Sequence, residues 1–345
     1  MQRRFTFIDG LRGIAAMAVA LLHALRGGHL DIFPSEVTAA VTMGEAGVAI
    51  FFVISGFVIA HSLWGREVTP GSAALFIARR SIRLDPPYWA AILLALGFSV
   101  LASLVIPDRV APEYSVGQLV AHIFYLQEIL GYEHINPVFW TLCYEIQFYA
   151  VFALILATRS TAVIAVACVM SLLWPLGVVP DVRGVFVNLF YSFLLGVGAY
   201  YSWKSYWARP LFLIYAGLVL VGAIVHSNPF ALISSATALL LVSVALSNKL
   251  HTTLDWRWLQ FLGMISYSLY LTHNPITGAT FRVWYTLAGR TPVTQLMGLG
   301  LSIVTCIGFA WVMYLCIEKP CVALARSSTP HLTALSMRAK RLLAT

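Results

Sequence analysis

Charge is what this chain has least of. Of 345 residues, 14 are acidic and 22 are Lys or Arg, so the four charged types make up 10% of the sequence against 60% apolar. A soluble protein of this size could not cover its surface with so few polar side chains. Ten-residue segments of alternating hydrophobicity are also missing, which argues against a membrane β-barrel. Cysteine is scarce and unpatterned: Cys143, Cys168, Cys306, Cys316 and Cys321 all fall in or beside apolar runs, without metal-ligand spacing, and read as small buried hydrophobes. No soluble domain and no internal repeat can be picked out. A cleavable leader is not expected either, because Arg12 interrupts the place of its apolar segment and no small-residue cleavage site follows.

What the sequence has in abundance is apolar length. Runs of roughly 17 to 25 residues can each cross a hydrocarbon core of about 30 Å as a helix. Ten are read: 10–28, 46–64, 86–106, 138–158, 161–179, 184–203, 210–226, 229–247, 258–276 and 294–316. The expected fold is therefore all-α, a polytopic transmembrane helical bundle of about ten spans. Residues 1–321 form one membrane-embedded domain, and 322–345 a short basic tail. The loop from Pro107 to Pro137 contains an apolar stretch, Val116 to Leu130, that reads as an interfacial or re-entrant helix.

Charge placement orients the bundle. With both termini cytoplasmic, the inner segments collect Arg3, Arg4, Arg66, Arg79, Arg80, Arg83, Arg159, Lys204, Arg209, Lys249, Arg257, Lys319, Arg326, Arg338, Lys340 and Arg341. The outer loops keep Arg26, Arg109, Arg183, Arg282 and Arg290, together with Asp31, Glu36, Glu45, Asp108, Glu113, Glu128, Glu133 and Asp181. This asymmetry follows the positive-inside rule, so the net charge of +8 reports topology and membrane lipid, with no nucleic-acid partner implied.

Ionisable residues inside apolar spans are costly and point to function. The first span, FIDGLRGIAAMAVALLH, holds Arg12 and His23. Eleven residues apart, they fall within roughly 20° of one helix face and about 16 Å apart along its axis. Asp9 is expected to neutralise Arg12. A second constellation, FIARRSIRLDPPYW, ends the first cytoplasmic loop and places Arg79, Arg80 and Arg83 three and four residues apart, on one helical face suited to an anion. Anchoring to acidic headgroups is the competing reading. A third, VFWTLCYEIQFYAVF, buries Glu145 among Trp140, Tyr144, Phe148 and Tyr149, read as packing and anchoring aromatics. A fourth, ISYSLYLTHNPI, places His273 before Asn274 and Pro275. The topology puts His23, Glu145 and His273 at one depth, where they could share a cavity. In FFVISGFVI, Ser55 and Gly56 read as a close-packing site.

In this order, IDGLRG with His23, FFVISGFVI, RRSIRLDPPYW, FWTLCYEIQFY, ISYSLYLTH and the closing IEKP (Ile317 to Pro320) resemble the acyltransferase-3 family of integral membrane O-acyltransferases over nearly the whole chain. The resemblance implies transfer of an acyl group, most often acetyl, from acyl-coenzyme A to a hydroxyl of a cell-surface or exported carbohydrate, a glycolipid or a macrolide. It implies a multi-pass protein of the bacterial cytoplasmic membrane with no metal. Arg12 and His23 match the family's arginine and histidine pair, with the histidine taken as catalytic. Arg80 and Arg83 match its Arg-x-x-Arg donor motif, with Thr141 and Glu145 on the W-[ST]-L-x-x-E motif and His273 closing S-Y-x-x-Y-L-x-H. The catalytic set expected is thus His23, Glu145 and His273, and the donor-binding set Arg12, Arg79, Arg80 and Arg83.

The expected mechanism has His23 take the acceptor's proton as the oxygen attacks the thioester, with Glu145 or His273 orienting the imidazole. A covalent acyl-histidine is the rival route. A transporter or flippase using His and Glu as a proton relay is the alternative class, favoured by inverted repeats or paired broken helices, neither of which is evident.

Overall fold

A computed structural model describes residues 4–34, 46–65, 69–105 and 112–327. Arg3, Glu36, Glu45, Arg66, Asp108, Arg109 and the tail beyond Ser327 lie outside the described residues. Within them the fold is all-helical. Twelve α-helices of eight residues or more run in chain order: α1 Thr6–Ala24, α2 Ala46–Leu63, α3 Pro70–Val105, α4 Val116–Ile123, α5 Trp140–Ala157, α6 Thr161–Ser171, α7 Phe190–Lys204, α8 Ala208–Val225, α9 Pro229–Leu246, α10 Arg257–Ala288, α11 Pro292–Met313 and α12 Lys319–Ser327.

Every apolar run read from the sequence meets a helix, but among the described residues six segments are both long and apolar enough to cross a membrane: Thr6–His29, Gly71–Leu104, Pro137–Ala157, Ala208–Val225, Pro229–Leu246 and Pro292–Ser327. The shortfall from ten has local causes. Helix α6 is 11 residues long and gives way to turns ahead of Pro175, where the run to 179 was expected. Helix α7 is 15 residues long, extended at its start by a 3₁₀ turn, Phe186–Leu189. Helix α10 has ample length but carries Ser266, Ser268, Thr272, His273 and Thr277, all buried against protein, and these lower its hydropathy. A helix surrounded by other helices need not look apolar.

Helix α3 departs most from expectation. It starts at Pro70, so Arg79, Arg80 and Arg83 lie well inside a 36-residue helix of about 54 Å and not at the end of a loop. Pro86 and Pro87 sit within it. Each lacks the N–H that would bond four residues back, at Ile82 and Arg83.

Small residues set the two closest crossings. A Cβ on Gly56 of α2 would lie 2.0 Å from the Phe193 carbonyl oxygen of α7, and one on Gly196 would lie 1.9 Å from that of Val53. Gly263 of α10 meets the Asp9 carbonyl of α1 in the same way, at 2.0 Å. Backbones approach this closely only without side chains between them. The packing role read for Gly56 is therefore met, and α1, α2, α7 and α10 form the centre of the bundle. The outward faces of α8 and α11 leave large apolar side chains exposed, such as Leu211 and Val304, as lipid-facing helices do.

The apolar stretch after Pro107 is helical only to Ile123, then turns through Tyr125 at positive φ. Its end is tied down by His122. Nδ1 lies 2.8 Å from the Gln118 carbonyl, and Nε2 accepts the Ile135 N–H at 3.1 Å. A ring that accepts at one nitrogen is neutral. Burial draws its pKa below the usual histidine value, against the pull of the Gln118 carbonyl, and nearby His134 adds to the lowering.

Two outcomes are expected. Gly196→Val should cost at least the ~1–3 kcal/mol of overpacking and abolish folded protein, measured by size-exclusion yield in detergent. Gly97→Ala, at a glycine open to space, should not, and equal yields would refute the crossing. Because the folded pKa of His122 is depressed, its contribution is complete above the unfolded value of about 6.5 and is lost as pH falls through the folded one. Hydrogen exchange at Ile135 and along α4, corrected for intrinsic rate, should therefore quicken towards pH 5.

Candidate functional site

A cavity of about 90 Å³ opens between α1, α2, α3, α5 and α10. Its polar lining is Arg12 from α1, Ser55 from α2, Arg80 and Arg83 from α3, Thr141 and Glu145 from α5, and Ser266, Tyr267 and Tyr270 from α10. Three guanidiniums and one carboxylate thus meet where the sequence is otherwise apolar. Arg79, one residue before Arg80, does not line the cavity.

Glu145 is held by neighbours from two helices. Ser55 Oγ donates to Oε1 at 2.7 Å, and the Tyr149 hydroxyl donates to the same oxygen. Arg80 Nη1 donates to the Tyr149 hydroxyl at 3.3 Å, and its guanidinium lies 4.7 Å from the centroid of the Tyr149 ring and 5.6 Å from that of Phe76. A cation over an aromatic face is favoured when water is excluded. Tyr149 therefore joins the acid to the base. Reading it as a packing aromatic is corrected: the i to i+4 spacing from Glu145 was the signal that could have found it.

Arg12 makes no hydrogen bond with a described residue, and Asp9 is paired with Arg4 instead of Arg12. The expected Asp9–Arg12 neutralisation is therefore replaced. Arg83 buries its Nε without a hydrogen-bond partner among the described residues. Buried donors without a partner are uncommon.

The two histidines meet elsewhere. His23 of α1 and His273 of α10 have ring centroids 5.1 Å apart, tilted by 49°. His273 is fully buried, and its Nδ1 lies 3.1 Å from the Leu269 carbonyl. A carbonyl only accepts, so Nδ1 carries the proton and Nε2 of the neutral ring presents a lone pair. That Nε2 has no hydrogen-bond partner among the described residues. Neither histidine lines the arginine cavity. Glu145 therefore sits with the arginines and not with the histidines, contrary to the shared cavity expected. Level depth along the membrane does not fix which helix faces turn towards each other.

Tyr270 connects the two groups. It lines the cavity, its ring lies 6.0 Å from that of His273, and its hydroxyl is 2.7 Å from Thr141 Oγ1 and donates to the Val138 carbonyl at 3.1 Å. A larger cleft of about 600 Å³ lies between α3 and α10. Asn136 and Asn274 line it, with Asn274 next to His273 and donating to Asn136 Oδ1 at 3.3 Å. Asn136 Nδ2 in turn donates to the Leu271 carbonyl at 3.2 Å, the group that Pro275 cannot bond. Sequence reasoning missed Ser55, Tyr149, Tyr270 and Asn136, each a common residue type whose role appears only when two helices touch. Among the described residues no cluster of His, Cys, Asp or Glu could hold a metal ion.

A family model for an acyltransferase domain matches residues 5–315. Among curated proteins, the chain is 28% identical over 312 residues to the putative membrane-bound transacylase BcsY of Komagataeibacter xylinus, covering 82% of this chain and 75% of that protein. It is 27% identical over 376 residues to the putative peptidoglycan O-acetyltransferase YrhL of Bacillus subtilis, covering 91% of this chain and 54% of the relative. A shorter match, 39% over 118 residues, is to the exopolysaccharide production protein ExoZ of Rhizobium meliloti, covering 32% of this chain and 34% of that protein. The chain thus spans about half of one relative and a third of another. No solved structure matches.

Removing the Tyr149 hydroxyl should loosen both Glu145 and Arg80. Tyr149→Phe is expected to cost about 1.5–3 kcal/mol, the range for a hydrogen bond to a charged group. The thermal midpoint of purified protein in detergent reads this, and an unchanged midpoint would show that the hydroxyl holds neither partner.

Proposed function

The chain belongs to the acyltransferase-3 family of membrane acyltransferases, and we propose that it moves an acyl group, with acetyl the expected one, from acyl-coenzyme A on the cytoplasmic side to a hydroxyl of a cell-surface or exported carbohydrate. The observation that carries this reading is a cavity lined by Arg12, Arg80 and Arg83, separated by Tyr270 from a pair of histidines 5.1 Å apart. Phosphate-rich donors need clustered guanidiniums, and hydroxyl acylation needs a base. This arrangement supplies both. In the proposed topology the chain crosses the bacterial cytoplasmic membrane ten times, with both termini inside. The basic segments Arg4, Lys204, Lys249 and Arg257 support that orientation.

The donor's phosphates are held by Arg80 and Arg83, and its thin pantetheine arm runs past Arg12 towards His23, about 16 Å further along α1. The acceptor enters through the cleft lined by Asn136 and Asn274. His23 takes the proton of the acceptor hydroxyl as its oxygen attacks the thioester carbonyl. The new ester C–O bond forms, the C–S bond breaks, and the coenzyme A thiolate leaves. His273 Nε2 offers a lone pair that can accept a His23 N–H, orienting that ring and stabilising its protonated form. Glu145 is assigned here to the arginine cluster: it keeps Arg80 in place through Tyr149 and is not the partner of His23. An alcohol is a weak nucleophile near neutrality while a thiolate leaves readily, so the base is the element the uncatalysed reaction lacks.

The test is transfer of label from radiolabelled acetyl-coenzyme A to a panel of bacterial polysaccharide acceptors by purified protein in lipid nanodiscs. Wild type should transfer label, and His23→Ala should lose about 10²–10⁴-fold, the worth of a positioned general base. Transfer that survives the substitution would remove His23 from the reaction. Absence of transfer by wild type from acetyl-coenzyme A, alongside transfer from another donor, would overturn the donor assignment.

A further inference from the structure

The closing IEKP motif, Ile317 to Pro320, carries a proline and a carboxylate at the end of the last long apolar helix. Pro320 has no N–H to bond the Cys316 carbonyl four residues back, so the helical hydrogen-bond ladder loses a bond there. The chain widens there into a π turn, Tyr314–Glu318, in which the Lys319 N–H reaches five residues back to the Tyr314 carbonyl, before α12 resumes at Lys319. Such single turns recur at functional sites because they re-aim one side chain. Within this turn the buried side chain is Glu318.

Glu318 is 3% exposed, an uncommon state for a carboxylate that borders a membrane helix. Its Oε2 accepts from Ser268 Oγ at 2.7 Å, so IEKP is tied to the SYSLYLTH segment of α10. Ser268 follows Ser266 and Tyr267, both of which line the arginine cavity, and the π turn packs on α3, which carries Arg83. Arg83 feels two like charges, Arg12 and Arg80, and two opposite ones, Glu318 and Glu145. Glu145 is already bonded to Ser55 and Tyr149, beside Arg80. Glu318 is the second carboxylate whose charge opposes theirs, held on the turn before α12 by Ser268 of α10. Without it, Arg83 would face two guanidiniums across a small cavity with its own Nε unbonded.

We propose that Glu318 is a positioning residue of the donor site: fixed by Ser268 and by the π turn before Pro320, it holds the Arg83 guanidinium towards the cavity in the orientation that receives an anionic phosphate. This rests on the reading of the cavity as the donor site. The carboxylate need not touch the donor. Its work is to hold a buried arginine in one orientation while empty, so that orientation is not lost to repulsion from Arg12 and Arg80.

The sign of the effect separates positioning from plain electrostatics. A negative charge near an anion site repels the anion, so simple Coulomb reasoning makes Glu318→Gln bind the donor more tightly. Positioning requires the opposite. Glu318→Gln keeps size and can still accept from Ser268, so the fold should persist. Its KM for acetyl-coenzyme A should rise about tenfold, with kcat at saturating donor within about twofold of wild type, the pattern of lost binding without lost chemistry. Coenzyme A alone, titrated by calorimetry into protein in nanodiscs, should show the same loss. Glu318→Asp, which restores the charge, should recover part of it. Ser268→Ala, which leaves the charge but frees the carboxylate, should weaken donor binding to a smaller degree.

Donor affinity in Glu318→Gln equal to or tighter than wild type would overturn the proposal and leave the donor site standing. Failure of wild type itself to bind coenzyme A would overturn the donor site, and the role of Glu318 with it. Should Glu318→Gln fail to fold, Glu318→Asp and Ser268→Ala decide the matter: both must weaken coenzyme A binding, and wild-type affinity in both refutes positioning.

Discussion

The structure depends on keeping several guanidiniums charged inside helices that are otherwise apolar. Arg12, Arg80 and Arg83 line one small cavity, and like charges brought together away from water repel strongly. Each counter-charge comes from a different part of the chain. Glu145 on α5 reaches Arg80 through Tyr149, Glu318 on the turn before α12 is bonded to Ser268 beside the cavity-lining Tyr267, and the cavity unites five helices.

The short motifs of the sequence are joined pairwise by these contacts. Ser55 of FFVISGFVI meets Glu145 of FWTLCYEIQFY. Arg80 of RRSIRL meets Tyr149, Thr141 meets Tyr270 of ISYSLYLTH, and Ser268 of that same segment meets Glu318 of IEKP. His23 meets His273. Segments separated by up to about 250 residues therefore share one polar interior. The glycine crossings at Gly56–Gly196 and at Gly13–Gly263 seat α2 against α7 and α1 against α10, which fixes the frame these bonds are made in.

Much of this was legible beforehand. Low charge and long apolar runs required a helical membrane protein, and each run met a helix. The arginines, Glu145 and the two histidines stood out because ionisable groups in such runs need a reason. The count of spans was less legible. Thr161 to Ser171 reads as the start of a full span but stops ahead of Pro175, and α10 conceals its depth behind buried serines and threonines. A three-residue spacing assigns Asp9 to Arg12, yet Arg4, which precedes α1, takes it.

The amino-acid sequence alone determined the helical class, the membrane setting, and which residues had to be explained, since burial of charge and apolar length are read residue by residue. The tertiary structure decided the partnerships. Hydropathy and helical periodicity fix a side chain's depth and its azimuth on its own helix but not the rotation of one helix against the next. That rotation, set by glycine contacts and side-chain packing, placed Glu145 with the arginines, turned the two histidines towards each other, and drew Glu318 inward through a single turn widened by proline.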